Sequence, residues 1–235
     1  MNIINDFETE DVQHKSSAEE SLFDQWEKNR PGVDFIRDGI VDEPAFNSIT
    51  PRIVFVLKDT DGGRFDLREF LFVGAWNKGS KFRDGSHTWG PIRRVLKKLA
   101  HAGGWSFSAD KHKSFRTIAA INVKKESGGD KCPDWKLAEA AEKDGDYIYK
   151  QLGLYKDKKT VFIACRTSRH ILKVLQKRTE VQECKHKDRS FVSFFGNCTL
   201  FESGHHPLGA DSAVWDVNIV ETIEAIKEYF RENEN

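Results

Sequence analysis

Three residue types with complementary chemistry each follow or close a short apolar run. Asp59 comes after Arg52-Ile-Val-Phe-Val-Leu57, Asn122 closes Thr117-Ile-Ala-Ala-Ile-Asn122, and His205-His206 follow Cys198-Thr-Leu-Phe-Glu-Ser203. Together they offer a carboxylate, an amide that both donates and accepts, and an imidazole, a set able to converge on one small molecule and stabilise charge on it. Taken singly each has an ordinary reading, Asp59 as a turn former or helix N-cap and Asn122 as a strand terminus. His205-His206-Pro207 does not read as a metal site, because adjacent side chains in an extended segment point to opposite faces and no third ligand stands at a familiar spacing. Neither a metal nor a cofactor is expected here.

The runs that carry these residues are short, β-branched and bounded by polar loops, the pattern of strands buried on both faces. A fourth run, Thr160-Val-Phe-Ile-Ala164, ends at Cys165-Arg166-Thr167. Amphipathic patterns separate them at 65–73, 88–101, 134–152, 167–177 and 211–231, with Ile92, Val95, Leu96 and Leu99 on one face of the second. An earlier helix begins at Ser17 with Leu22, Phe23 and Trp26 on its apolar face, Ser16 or Ser17 as N-cap and Pro31-Gly32 as its stop. Strands alternating with helices predict a three-layer α/β/α domain around a mostly parallel, four-stranded central sheet. Ligands of such sheets bind beyond the C-terminal strand ends, so Lys58 to Asp61, Asn122 to Lys125, Cys165 to Thr167 and Gly204 to Pro207 are expected to share one site. Neither G-x-G-x-x-G nor G-x-x-x-x-G-K-[ST] follows the first strand, which argues against a nucleotide phosphate cradle.

The chain has 235 residues, with 37 basic and 37 acidic ones, so no global field draws it to nucleic acid and any such contact must be local. Residues 1–16 are polar and aperiodic and read as a flexible tail, leaving 17–235 as a single domain. There is no basic start followed by an apolar run, and nothing approaches about eighteen uninterrupted apolar residues; a cytoplasmic protein without membrane contact is expected. Cys132, Cys165, Cys184 and Cys198 form no C-x-x-C pair and read as structural thiols.

Taken in order, strand-Lys58-Asp59, strand-Asn122-Val123-Lys124 and strand-Gly204-His205-His206-Pro207 resemble the three motif segments of the uracil-DNA glycosylase superfamily. Phe35-Ile-Arg-Asp-Gly-Ile-Val41 and Asp66-Leu-Arg-Glu-Phe70 add to a likeness that spans roughly residues 35–226, although its motifs are short and diverged. The resemblance implies a monofunctional DNA glycosylase that flips a base and hydrolyses its N-glycosidic bond. By position, Asp59 would activate water or stabilise the sugar cation, Asn122 would read the base edge, and His206 would face the leaving base, with His205 replacing it if the register differs by one. Some branches of the superfamily hold an iron-sulfur cluster through an N-terminal cysteine pair, and here the first cysteine is Cys132, so no cluster is expected. The protein is expected to act as a monomer on DNA, on single strands or on a base flipped from a duplex.

The departures point to the substrate. Where relatives continue the first motif with proline, an aromatic and histidine, this chain has Thr60, Asp61 and Gly62. In uracil-specific relatives that aromatic closes the C5 side of the base; Asp61 followed by two glycines would open it to a bulky polar substituent, with Asp61 accepting hydrogen bonds from sugar hydroxyls. A C5-modified pyrimidine, such as glucosylated hydroxymethylcytosine in phage DNA, is the expected substrate, with a role in phage defence; ordinary uracil repair and a silent DNA-binding module are the alternatives. Lys58 stands beside the base site, and Lys124, Lys125 and Ser127 are candidate strand contacts. Leu208 is a candidate wedge, Phe65, Phe72, Trp76 and Trp89 are candidate stacking partners or core residues, and Lys185-His-Lys-Asp-Arg189 is either a second phosphate contact or a solvated turn.

Overall fold

The apolar runs become the centre of a mixed seven-stranded sheet in a computed structural model that describes residues 13–59, 66–74, 88–102, 113, 115–126, 132–204 and 212–233. The strands are β1 (Gly39–Ile40), β2 (Arg52–Leu57), β3 (Ile118–Asn122), β4 (Thr160–Ala164), β5 (Val181–His186), β6 (Arg189–Phe194) and β7 (Cys198–Glu202), in the order β1-β3-β2-β4-β7-β6-β5. The four runs read from sequence, β3, β2, β4 and β7, are mutually parallel neighbours. The expected sheet of four strands is corrected to seven: β1 adds antiparallel to β3, and the β5–β6 hairpin adds antiparallel to β7. These edge strands escape an apolar-run reading because β1 has two residues and β5 buries only Cys184.

Helices cover both faces: α1 (Ser17–Lys28), α2 (Glu43–Asn47), α3 (Leu67–Phe72), α4 (Trp89–Ala102), α5 (Asp134–Lys143), α6 (Gly145–Gly153), α7 (Ser168–Gln176) and α8 (Ser212–Glu232). The two-residue period of β2 distributes its side chains between two cores. Ile53, Phe55 and Leu57 join Leu71, Ile92, Val95 and Ile219 on the face of α3, α4 and α8. Val54 and Val56 join Phe23, Trp26, Leu137, Leu152 and Ile171 on the other face. Each such side chain, fully removed from water, contributes roughly 1.5–3 kcal/mol before entropic costs.

The pattern over 134–152 is two helices, not one. The break falls at Asp144, a buried residue whose carboxylate is ion-paired with Arg30. Packing also begins before Ser17: Gln13 Nε2 donates to the Val41 carbonyl at 2.9 Å, and Lys15 pairs with Asp66 at 2.8 Å. Asp66 caps α3 by accepting from Arg68 N at 2.9 Å, worth about 1 kcal/mol in comparable caps. Burial opposes ionisation of Asp66, but the hydrogen bonds and charges of Arg68 and Lys15 outweigh it and hold its carboxyl at about 2. Among the described residues, no helix is long and apolar enough to cross a membrane.

Candidate functional site

The chain passes from β2 to β3 on one side and then crosses to β4 on the other, so the strand order reverses around β2. A crevice forms at such a reversal, outside the carboxyl ends of the strands. The register brings the expected segments to that edge. Leu57 pairs with Asn122; Val123 N donates to the Leu57 carbonyl and Lys124 N to the Lys58 carbonyl, both at 3.0 Å. On the β4 side Cys165 N donates to the Val56 carbonyl at 2.9 Å and Thr167 Oγ1 to the same oxygen at 3.0 Å. Lys58-Asp59, Asn122-Lys124 and Cys165-Thr167 therefore leave the sheet side by side.

Glu202, at the end of β7, organises the neighbouring loops. Its carboxylate accepts from Arg166 N at 2.8 Å, Ser168 Oγ at 2.6 Å, and Ser168 N and Gly204 N at 3.2 Å each. Arg166 is held at a φ of 62°, a left-handed conformation uncommon for a residue with a Cβ, and it is exposed. Gly204 takes a φ of 78° where the chain leaves β7, which suits a residue lacking Cβ.

Asp59 is half-buried with Oδ2 shielded from solvent, and the Cys132 thiol donates a hydrogen bond to its carboxylate. Burial, then the charge and hydrogen bond of Asp59, push that thiol up to about 11, with Lys58 and Lys124 offsetting part of the rise. Cys132 thus stands in the site as a neutral donor, a placement that its sequence reading as a structural thiol missed. Two segments outside the described residues, 60–65 and 127–131, lie next to Asp59 and Cys132 in the chain, so no sequence spacing reveals the contact. The other three cysteines are fully or almost fully buried, and all four are free. Burial pushes the Cys198 thiol up to about 12 and that of Cys165 higher still, so both behave as small apolar groups.

Asn122 is 2 % exposed, and its backbone N–H donates to Asp38 Oδ2 at 2.7 Å. Asp38 is the centre of a closed network: it accepts from Lys125 Nζ at 2.6 and 2.7 Å and from Gln151 Nε2 at 3.1 Å. Lys125 is therefore corrected from a strand contact to an internal counter-ion, 2 % exposed, with its ammonium 5.1 Å from the Trp26 ring centre. Burial pushes its ammonium below the ordinary lysine value against the pull of Asp38. Lys124 is also largely buried and donates to the Glu126 carbonyl at 3.0 Å, so it is corrected from an exposed phosphate grip to a largely internal cation.

The remaining expectations divide plainly. Asp61, Ser127, His205, His206 and Leu208 lie outside the described residues, as do Phe65 and Trp76. Phe72 and Trp89 are core residues, not stacking partners, at 4 % and 7 % exposure. The basic segment 185–189 forms the end and turn of the β5–β6 hairpin, where His186 lies 3.6 Å from both Glu228 and Glu232 and Arg189 pairs with Glu221. Acids of α8 answer those charges, so of the two readings the turn is the one the structure favours, ion-paired to α8.

No known protein family, curated protein or solved structure matches the chain. Fold and site together define an α/β protein in which Lys58, Asp59, Asn122 and Lys124 gather at the C-terminal strand ends beside the reversal point of the parallel strands, with Cys132 next to Asp59.

Proposed function

We propose that this protein is a DNA glycosylase of the uracil-DNA glycosylase type, which takes a base out of the strand and hydrolyses its N-glycosidic bond without metal or cofactor. The observation that carries the reading is the placement of Asp59 and Asn122 at adjacent C-terminal ends of parallel strands, beside the point where the strand order reverses. Breaking the bond builds positive charge on the sugar and negative charge on the departing base. Asp59, with the Cys132 thiol beside it, stabilises the first or orients water; Asn122 holds the base edge; His206, or His205 in the alternative register, donates to the second. The half-buried position of Asp59 favours this chemistry, because a carboxylate acts more strongly on a nearby cation where water is excluded.

The substrate class is inferred from the sequence Asp61-Gly62-Gly63: where the resembled family has an aromatic against C5 of the base, this chain has a carboxylate able to accept from sugar hydroxyls. A pyrimidine with a bulky polar C5 substituent, such as glucosylated hydroxymethylcytosine, suits that residue set, and its excision is a role in phage defence for a cytoplasmic monomer. The test is a panel of oligonucleotides containing uracil, hydroxymethylcytosine or its glucosylated form, assayed for alkali-labile abasic sites with Asn122→Ala as control. Release of the glucosylated base alone supports the reading; release of uracil makes the protein a diverged repair enzyme; release from none overturns glycosylase activity in favour of a DNA-binding module.

A further inference from the structure

Among the described residues most large apolar side chains are buried, and the most exposed exception is aromatic. Trp135, in the first turn of α5, is 63 % exposed, against 7 % or less for Trp26, Trp89 and Trp215. It shares a cavity lining with Lys124, whose backbone N–H donates to the Lys58 carbonyl next to Asp59. The indole borders a cavity of about 340 Å³ that Lys124, Lys136 and Lys143 also line, and Lys136 Nζ lies 5.6 Å from the ring centre. Two acids, Glu126 and Glu139, share this lining. Lys136 and Lys143, seven residues apart on one helix face, are both exposed, whereas Lys124 is committed to the Glu126 carbonyl.

An exposed indole flanked by flexible ammonium groups suits stacking of a nucleobase, with neighbouring phosphates met by the lysines. A protein core gives no reason to leave such a ring in water, and the neutral overall charge makes a local cationic patch the place for a strand to bind. We propose that Trp135, Lys136 and Lys143 form a platform for single-stranded DNA, on which a base flanking the crevice stacks while its phosphates meet the two lysines. The proposal deepens the glycosylase reading and rests on it for the location of the target base. It moves the strand contact from the turn after β3 to the exposed face of α5.

The test uses the full chain and a fluorescein-labelled oligothymidylate, which carries no excisable base, so binding is read separately from base release. Anisotropy titrations should show Trp135→Ala binding roughly tenfold more weakly, with Trp135→Phe restoring most of the affinity because phenylalanine keeps a π face. The double variant Lys136→Ala, Lys143→Ala should lower the salt-dependence slope of log affinity by about 1.4. Equal affinities for Trp135→Ala and the wild-type chain, or tighter binding to oligouridylate than to oligothymidylate, overturn the proposal. Intact, Trp135-dependent binding with no base release from any substrate would strike the catalytic reading alone.

Discussion

Two polar regions meet at the C-terminal end of β3, and they use the same residue types in opposite ways. Inward, Asp38 and Lys125 form a dry ion pair, completed by Gln151 and the Asn122 backbone and shielded by Trp26. Outward, Asp59 shares its surroundings with Lys58, Lys124 and the Cys132 thiol at the C-terminal strand ends. In the first region an acid and a base hold three pieces of chain together, and both charges are spent on each other. In the second the carboxylate borders solvent-accessible space, where it can act on something else. A charged pair signals chemistry only when its surroundings leave it a third party to act upon.

The sharpest division between the regions is functional. Asp59→Asn should reduce base release by roughly 10²–10⁴-fold in single-turnover assays while leaving the urea midpoint essentially unchanged. A large loss of stability in that variant would move Asp59 into the structural class. Lys125→Met should do the reverse, costing roughly 3–5 kcal/mol in urea unfolding because Asp38 is left buried without its counter-ion. Adding Asp38→Asn to that variant should recover much of the loss, since the amide oxygen still accepts from Asn122 N; no recovery would mean that the ion pair is not the source of the cost.

The inward region extends to Glu19, and there the comparison becomes pH-dependent. Burial raises the Glu19 carboxyl from 4.5 to about 7, against the hydrogen bonds of Tyr155 and Ile40 N and the charge of Arg68. The folded protein therefore keeps a proton that the unfolded chain loses above about pH 4.5. Its stabilising effect is complete below that pH and disappears as pH rises to about 7, a change of up to about 3 kcal/mol. Urea unfolding at pH 5 and pH 8 should show this fall, and Glu19→Gln should flatten it. Asp66 acts in the opposite sense and in a separate window: its low value gives stability above about pH 4 that is lost as pH falls toward 2.

Smaller effects refine the outward region. Cys132→Ala should slow base release about three- to tenfold, the scale of one lost hydrogen bond, with Cys132→Ser retaining most of the rate. Independently of activity, Asp59→Asn should lower the pH at which Cys132 reacts with a maleimide, because it removes a negative charge beside the thiol. An unchanged profile would contradict the contact. Arg189→Ala, at the start of β6 beside the hairpin turn, should cost less than about 1 kcal/mol.

Much of the central architecture is legible in the residues because both-face burial writes itself as uninterrupted apolar runs. Arg52–Leu57 and Thr160–Ala164 match observed strands residue for residue. The edge strands carry polar side chains between their few buried ones, so the β5–β6 hairpin shows in the sequence only as a candidate charged turn at 185–189. Asp59 and Asn122 were legible as strand-end residues. The opposite fates of outward Asp59 and inward Lys125 were not, since nothing within residues 122–126 reveals that Asp38, far earlier in sequence, lies beneath the turn. Trp135 gave no signal either, because exposure of an aromatic at a helix start depends on what packs above it.

The most direct test of the central claim is single-turnover incubation of the wild-type chain and Asp59→Asn with a single-stranded oligonucleotide carrying one glucosylated hydroxymethylcytosine, with the released base identified by mass spectrometry. The account predicts the intact glucosylated base and an abasic strand from the wild-type chain, and at least a hundredfold slower release from Asp59→Asn. No free base from the wild-type chain, or equal release from the two proteins, would contradict it.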